Sequence, residues 1–138
     1  MRFIDASVFL YAYLKPKGKL PEKIINFKKR AGDIIKKINK GEAVLTTIVH
    51  LSEVANIIES KVNNTEASRV ILTLLSKPNI NIVEVRKSDY INAAKFAERH
   101  SIGVNDSLAY FIMKQKGISE VYSFDKDFDK LRDIRRVI

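Results

Sequence analysis

The sequence predicts an α/β fold, a three-layer α/β/α sandwich on a mainly parallel sheet of four or five strands. Three observations predict it. Short apolar runs such as "MRFID", "EAVLTT" and "NINIVEV" alternate with longer segments whose apolar residues recur every three or four positions. Successive strands are separated by enough chain for a helical crossover, which parallel pairing requires. A chain of 138 residues holds one sizeable core and would be cramped for two, so residues 1–138 read as a single domain.

In order along the chain, "MRFID" (residues 1–5) is a strand that runs straight into a helix over residues 6–14. The loop "KPKGKLPE", with two prolines and a glycine, ends that helix. A long amphipathic helix comes next, its apolar stripe marked by Ile24, Ile25, Phe27, Ala31, Ile34, Ile35 and Ile38 and its other face rich in lysine, up to "NKG" at residues 39–41. "EAVLTT" is the second strand. "IVHLSEVANIIESKV" and "NNTEASRVILTLLSK" are two further helices, the latter with Asn64 or Thr65 available as N-cap and Pro78 beyond its end. "NINIVEV" is the third strand. Ser88 is placed to cap a helix through "DYINAAKFAERH". "SIGVNDSLAYFIMKQKGI" supplies the next helix, and the absence of charge from Leu108 to Met113 marks it as buried on most sides. "SEVYSFD" is the fourth strand and "IRRVI" a short fifth.

Composition narrows the function classes. An apolar fraction of 46% with 30% charged residues is that of a soluble globular protein. No apolar run approaches the ~20 residues of a membrane span. The N-terminal apolar run carries Asp5 and lacks a cleavage site, so it reads as strand plus helix rather than signal peptide, and cytoplasmic residence is the expectation. Without cysteine there is no disulfide framework, thiolate nucleophile or thiolate metal site. Lys and Arg outnumber Asp and Glu by 25 to 16, a net charge of +9 that points to an anionic partner such as nucleic acid. Solvated lysines, as in "KIINFKKRAGDIIKKINK", produce the same excess in proteins that bind none.

Four acids stand out by position. Asp5 closes the first strand and Asp125 the fourth, so both lie on one rim of a parallel sheet if those strands are neighbours, where such sheets carry their functional groups. Asp106 sits at the start of the apolar "LAYFIM" helix, and Glu53 at the edge of the polar face of "HLSEVANIIE". Each has an ordinary role open to it: an Asp after a strand N-caps the next helix, Asn105 or Asp106 caps its own, and Glu53 is a solvated glutamate. Together, converging carboxylates repel one another and demand protonation or a cation. A hard divalent ion such as Mg²⁺ suits an open all-oxygen cluster beside a phosphate-bearing substrate. Zinc is disfavoured, since only His50 and His100 are available, and these read as ordinary surface or helix-end residues. A basic protein with an acidic metal pocket fits phosphodiester hydrolysis: the cations hold a polyanionic strand while the metal activates water. Tyr11, Tyr13 and Tyr110 are placed either to stack on bases or to pack the core.

The segments "FIDASV", "TTIVHLSEV", "IGVNDSLAYF" and "SFDKDF", in that order across nearly the whole chain, resemble the PIN-domain nucleases, in particular VapC-like toxins. The resemblance implies a parallel sheet flanked by helices, a ribonuclease dependent on Mg²⁺ or Mn²⁺, an RNA substrate, an antitoxin partner and a homodimer. It also implies that Asp5, Glu53, Asp106 and Asp125 are the catalytic metal-holding acids, with Ser7 and Ser123 supporting them. Asp127 is a second candidate beside Asp125, because "DKDFD" offers three acids. Ser107 stands where an alanine is usual. A phosphatase of the haloacid-dehalogenase type also begins with a strand-end Asp, but it requires a second Asp where this chain has Ser7. The rival from another class is an RNA-binding or RNA-processing module with little or no intrinsic catalysis.

Overall fold

The computed structural model describes all 138 residues. Five parallel strands form one sheet: β1 (Arg2–Ile4), β2 (Val44–Thr47), β3 (Ile80–Val83), β4 (Glu120–Tyr122) and β5 (Arg135–Val137), in the order β3-β2-β1-β4-β5. Six helices join them: α1 (Ala6–Tyr13), α2 (Glu22–Asn39), α3 (Ile48–Lys61), α4 (Asn64–Ser76), α5 (Lys87–His100) and α6 (Val104–Lys116). A 3₁₀ turn, Lys126–Lys130, leads from β4 towards β5.

The strands are apolar on both faces because both faces are covered. Phe3, Leu45 and Val121 pack under α5 and α6, whereas their neighbours Ile4, Val44 and Tyr122 pack under α1 to α4. The chain lays down β1, β2 and β3 in one direction with its helices on one face. It then returns past β1 to β4 with α5 and α6 on the other face. Right-handed crossovers require that change of face when the direction reverses. The three layers and the parallel sheet are those expected from the sequence.

Several boundaries differ, each for a local reason. Asn63, not Asn64 or Thr65, caps α4, its side chain accepting from the Glu66 amide at 2.7 Å. Helix α5 begins at Lys87, and Ser88 lies inside it. The Asp89 carboxylate accepts from the Arg86 amide at 2.9 Å, satisfying the helix start from its third residue. Helix α6 begins at Val104 behind Gly103, with no side-chain cap, and ends at Gly117, whose φ of 67° is the left-handed conformation glycine adopts freely. Ile25 lies on the solvent side of the long α2 stripe, which buries Ala31, Ile34 and Ile38. Strand β4 stops at Tyr122, three residues before Asp125; beyond it the Ser123 amide still bonds the Val137 carbonyl at 3.4 Å, and the Ser7 and Ser123 hydroxyls hold the next two amides.

Candidate active site

Strand order reverses between β1 and β4, and the carboxyl ends of these two neighbours open into the crevice that such a reversal creates. Asp5 leaves β1 at this point. It occupies the N-cap position of α1, yet its side chain makes no capping bond. Its Oδ2 instead accepts from Ser7 Oγ at 2.7 Å and Ser123 Oγ at 2.8 Å. Each hydroxyl accepts in turn from backbone beyond β4: Ser7 from the Phe124 amide at 3.1 Å, Ser123 from the Asp125 amide at 2.9 Å. The two serines therefore clamp the end of β1 to the end of β4, fixing the Asp5 carboxylate and leaving its Oδ1 without a protein donor.

Asp125, unlike Asp5, does act as a cap. Its Oδ1 accepts from the Asp127 amide at 2.9 Å at the start of the 3₁₀ turn. That turn curls Asp127 back beside Asp125, and Lys130 Nζ lies 2.9 Å from Asp127 Oδ1. Asp106 is the third residue of α6, and the capping expected of Asn105 or Asp106 is not made. Gly103 lies against it, where a Cβ would meet Asp106 Oδ2 in ordinary contact at 3.4 Å. Asp106, Asp125 and Asp127 thus offer three carboxylate oxygens within 4.8 Å of one another.

The electrostatics reflect this crowding. Burial, then the charges of Asp5 and Asp125, with a hydrogen bond to Asp125 and the charge of Asp127 adding to them, push the Asp106 carboxyl up to about 8. Glu53 is pushed up by burial first and by the charge of Asp5 next, against which the Asn105 side chain holds its charged form. Glu53, Asp106 and Asp125 share a shallow pocket of ≈ 330 Å³ with Tyr90. The expected four-acid cluster is therefore arranged as a tight trio of Asp106, Asp125 and Asp127, with Asp5 and Glu53 set around it. Asp127 joins Asp125 rather than replacing it.

His50 corrects the surface reading made from sequence. It is fully buried in the first turn of α3, its Nδ1 2.7 Å from Thr47 Oγ1 and its Nε2 3.1 Å from the Asn105 carbonyl. A carbonyl only accepts, so Nε2 carries the proton and Nδ1 accepts from Thr47. Burial holds the imidazole pKa below its ordinary value, partly offset by the charge of Asp5 and the bond to Asn105. Asn105 completes this bridge, accepting from Tyr90 at 2.7 Å through Oδ1 and donating to Glu53 Oε2 at 3.4 Å through Nδ2. The sequence pattern does not single out His50, Asn105 and Tyr90 as site residues. The available signal is that His50 precedes Glu53 by three on one helix face. Tyr11 packs edge-on to Phe27 and Phe124, and Tyr110 packs against Phe96.

The family model of the PIN domain matches residues 2–134, nearly the whole chain. The chain belongs to the PIN-domain family. Solved structures carry the same PIN fold. One is VapC20 of Mycobacterium tuberculosis, a sarcin–ricin-loop-cleaving toxin, 20% identical with a TM-score of 0.72 over 94% of this chain and 93% of that one. Another is VapBC2 from Rickettsia felis bound to a promoter DNA fragment, 13% identical with a TM-score of 0.63 over 99% and 96%. A toxin–antitoxin complex from Klebsiella pneumoniae is 9% identical with a TM-score of 0.62 over 100% and 97%. Likeness at such identities speaks for the fold of this PIN domain alone. No curated protein matches the sequence significantly. No helix of this PIN domain is long and apolar enough to cross a membrane.

Proposed function

We propose that this PIN domain is an endoribonuclease that hydrolyses phosphodiester bonds of single-stranded RNA with Mg²⁺ or Mn²⁺, and that it acts as the toxin of a toxin–antitoxin pair. The observation that carries the reading is the trio of Asp106, Asp125 and Asp127 within 4.8 Å at the switch point of the sheet, with the Asp106 carboxyl raised to about 8.

The residues present fit a hard divalent ion. Every candidate ligand is a carboxylate, no Cys or His joins them, and Asp5 Oδ1 has no protein donor. Asp106, Asp125 and Asp127 would hold the ion, with Asp5 and Glu53 directly or through water. When bound, the ion neutralises charge developing on the phosphate and lowers the pKa of the attacking water. Ser7 and Ser123 keep Asp5 in one orientation, which saves reorganisation during the reaction. Asn105 holds Glu53 Oε2, which leaves Oε1 to receive a proton from water, a role suited to its raised pKa.

The net charge of +9 supports a polyanionic substrate. The shared fold with the two toxin–antitoxin complexes supports an antitoxin partner. A homodimer belongs to the same proposal, with exposed Leu72 and Leu75 on α4 as apolar surface for association. The test is cleavage of end-labelled single-stranded RNA with Mg²⁺ or Mn²⁺ against EDTA, with Asp106→Asn alongside. Metal-dependent cleavage lost in the variant is the expected result. Binding without cleavage under either metal would favour the non-catalytic RNA module.

A further inference from the structure

A groove of ≈ 870 Å³, larger than the acid pocket, starts at Ser7, whose hydroxyl bonds Asp5. Its walls are built with helical periodicity. Ser7, Leu10 and Leu14 trace one face of α1 to its end, and Ile57 and Lys61 continue along α3 from Glu53 at four-residue steps. The α1 wall begins at Ser7, beside Asp5, and the α3 wall begins at Ile57, one turn beyond Glu53; both lead away from the acid site. At their far ends stand Lys15, Lys17 and Lys61, exposed and without an ion-pair partner. Lys28 is already engaged, bonding the Tyr11 carbonyl at 2.8 Å and the Leu14 carbonyl at the end of α1. No Asp or Glu lines the groove.

We propose that this groove binds the stretch of single-stranded RNA flanking the scissile phosphate, with bases on the Leu10, Leu14 and Ile57 floor and phosphates at Lys15, Lys17 and Lys61. The inference rests on the ribonuclease reading and adds a direction and a length to it. An apolar floor with an all-cationic rim is the chemistry of sequence-tolerant single-strand binding. The seven helical steps from Ser7 to Leu14 span ~10 Å, which is about three nucleotides of stacked strand. The near end of the groove favours RNA over a protein segment: Ser7 there bonds Asp5, so a strand held at the acids can continue onto the groove floor.

The test compares the unsubstituted protein with K15Q/K17Q/K61Q, in which three exposed lysines are neutralised and every acid is kept. K37Q/K40Q/K116Q is the control, because those exposed lysines lie at the ends of α2 and α6 that lead into strands, at the opposite edge of the sheet. KM and kcat for Mn²⁺-supported cleavage of an eight-nucleotide RNA and of a dinucleotide are measured from 50 to 300 mM KCl, with equilibrium binding of the octamer in parallel. The groove triple is expected to raise KM for the octamer at least tenfold at unchanged kcat. It is also expected to make the log–log salt dependence shallower by about 2, from ~0.7 per lost phosphate contact. Its dinucleotide kinetics should match those of the unsubstituted protein, because that substrate ends short of the lysines. Octamer affinity and salt slope equal to those of the unsubstituted chain would overturn the proposal. So would loss of binding to an Asp/Glu-rich peptide with RNA binding intact, which would reassign the groove to a protein partner. Absence of cleavage by the unsubstituted chain would defeat the nuclease reading instead, and the binding comparison would still decide the groove.

Discussion

Ser123 Oγ donates a 2.8 Å hydrogen bond to Asp5 Oδ2, joining residues at opposite ends of the sequence. The same hydroxyl accepts from the Asp125 amide, so one side chain orients two acids. Ser123→Ala removes a buried donor and leaves that amide unpaired. A stability loss of about 1–3 kcal/mol by urea unfolding is expected, with RNA cleavage reduced roughly tenfold. Unchanged stability would show that the clamp is not holding the two strand ends together.

The raised carboxyl of Asp106 predicts a pH dependence. Its pKa is about 8 in the fold against 3.8 for an ordinary Asp carboxyl, so between these values the native state binds more protons than the unfolded state. Stability of the metal-free protein should therefore fall as pH rises through ~4–8 and level off above. Partial solvent screening holds the total to ~1–3 kcal/mol. Melting curves in EDTA should show Asp106→Asn flatter across this range and more stable at pH 8. Added Mn²⁺ should raise the melting temperature of the unsubstituted protein and barely move that of the variant. An equal metal-induced rise in both would remove Asp106 from the metal site.

His50 gives a dependence in another window. Its folded pKa lies below the ordinary 6.5, so the stability tied to the neutral ring is present above about 6.5 and is lost as pH falls towards the folded value. Melting curves from pH 7 to 5 should decline by this route, and His50→Gln should remove that part of the decline. His50→Ala removes the ring donor to the Asn105 carbonyl and the ring acceptor of the Thr47 hydroxyl, which keeps only its bond from the residue-50 amide, and leaves a cavity, at an expected cost of about 2–4 kcal/mol.

On the proposed ribonuclease reading, Asn105 would position Glu53 and not touch the substrate, because its side chain reaches Glu53 and Tyr90 and not the trio. Asn105→Ala should lower kcat about tenfold and leave KM unchanged. It should also shift the acidic limb of the rate profile upward, since Glu53 loses the donor that favours its charged form. An unmoved limb would indicate that Glu53 does not set it.

Ser107 offers the opposite sign. Its Oγ is buried and has no partner. Ser107→Ala deletes an unsatisfied polar atom and improves helix propensity, so unfolding should show a gain of about 1 kcal/mol with cleavage intact. A loss of stability would reveal a partner for that hydroxyl.

The layers, the parallel sheet and the strand-end acids are legible in the sequence because they obey local rules, whereas the pairing of β1 with β4 is shown by the structure. Apolar runs mark strands, crossovers make them parallel, and an Asp after each of two neighbouring strands lands on one rim. Asp106 is legible as an acid leading an uncharged helix. The burial of His50 is not, because it depends on the Asn105 carbonyl, 55 positions away, on an element whose packing no periodicity specifies. The split between the trio and its two flanking acids is equally hidden, since the 3₁₀ turn that carries Asp127 back to Asp125 leaves no hydrophobic pattern. Cap positions slip by one or two residues where a neighbouring Asn or Asp satisfies the same amides.

The pairing of β1 with β4 also sets the order in which the protein acquires chemistry as it is made. Asp5 leaves the ribosome 120 residues before Asp125, and the β5 strand that covers the edge of β4 follows later still. At about 5–20 residues per second, ~6–24 s separate the synthesis of the two acids. Throughout that interval the nascent chain carries an incomplete acid site.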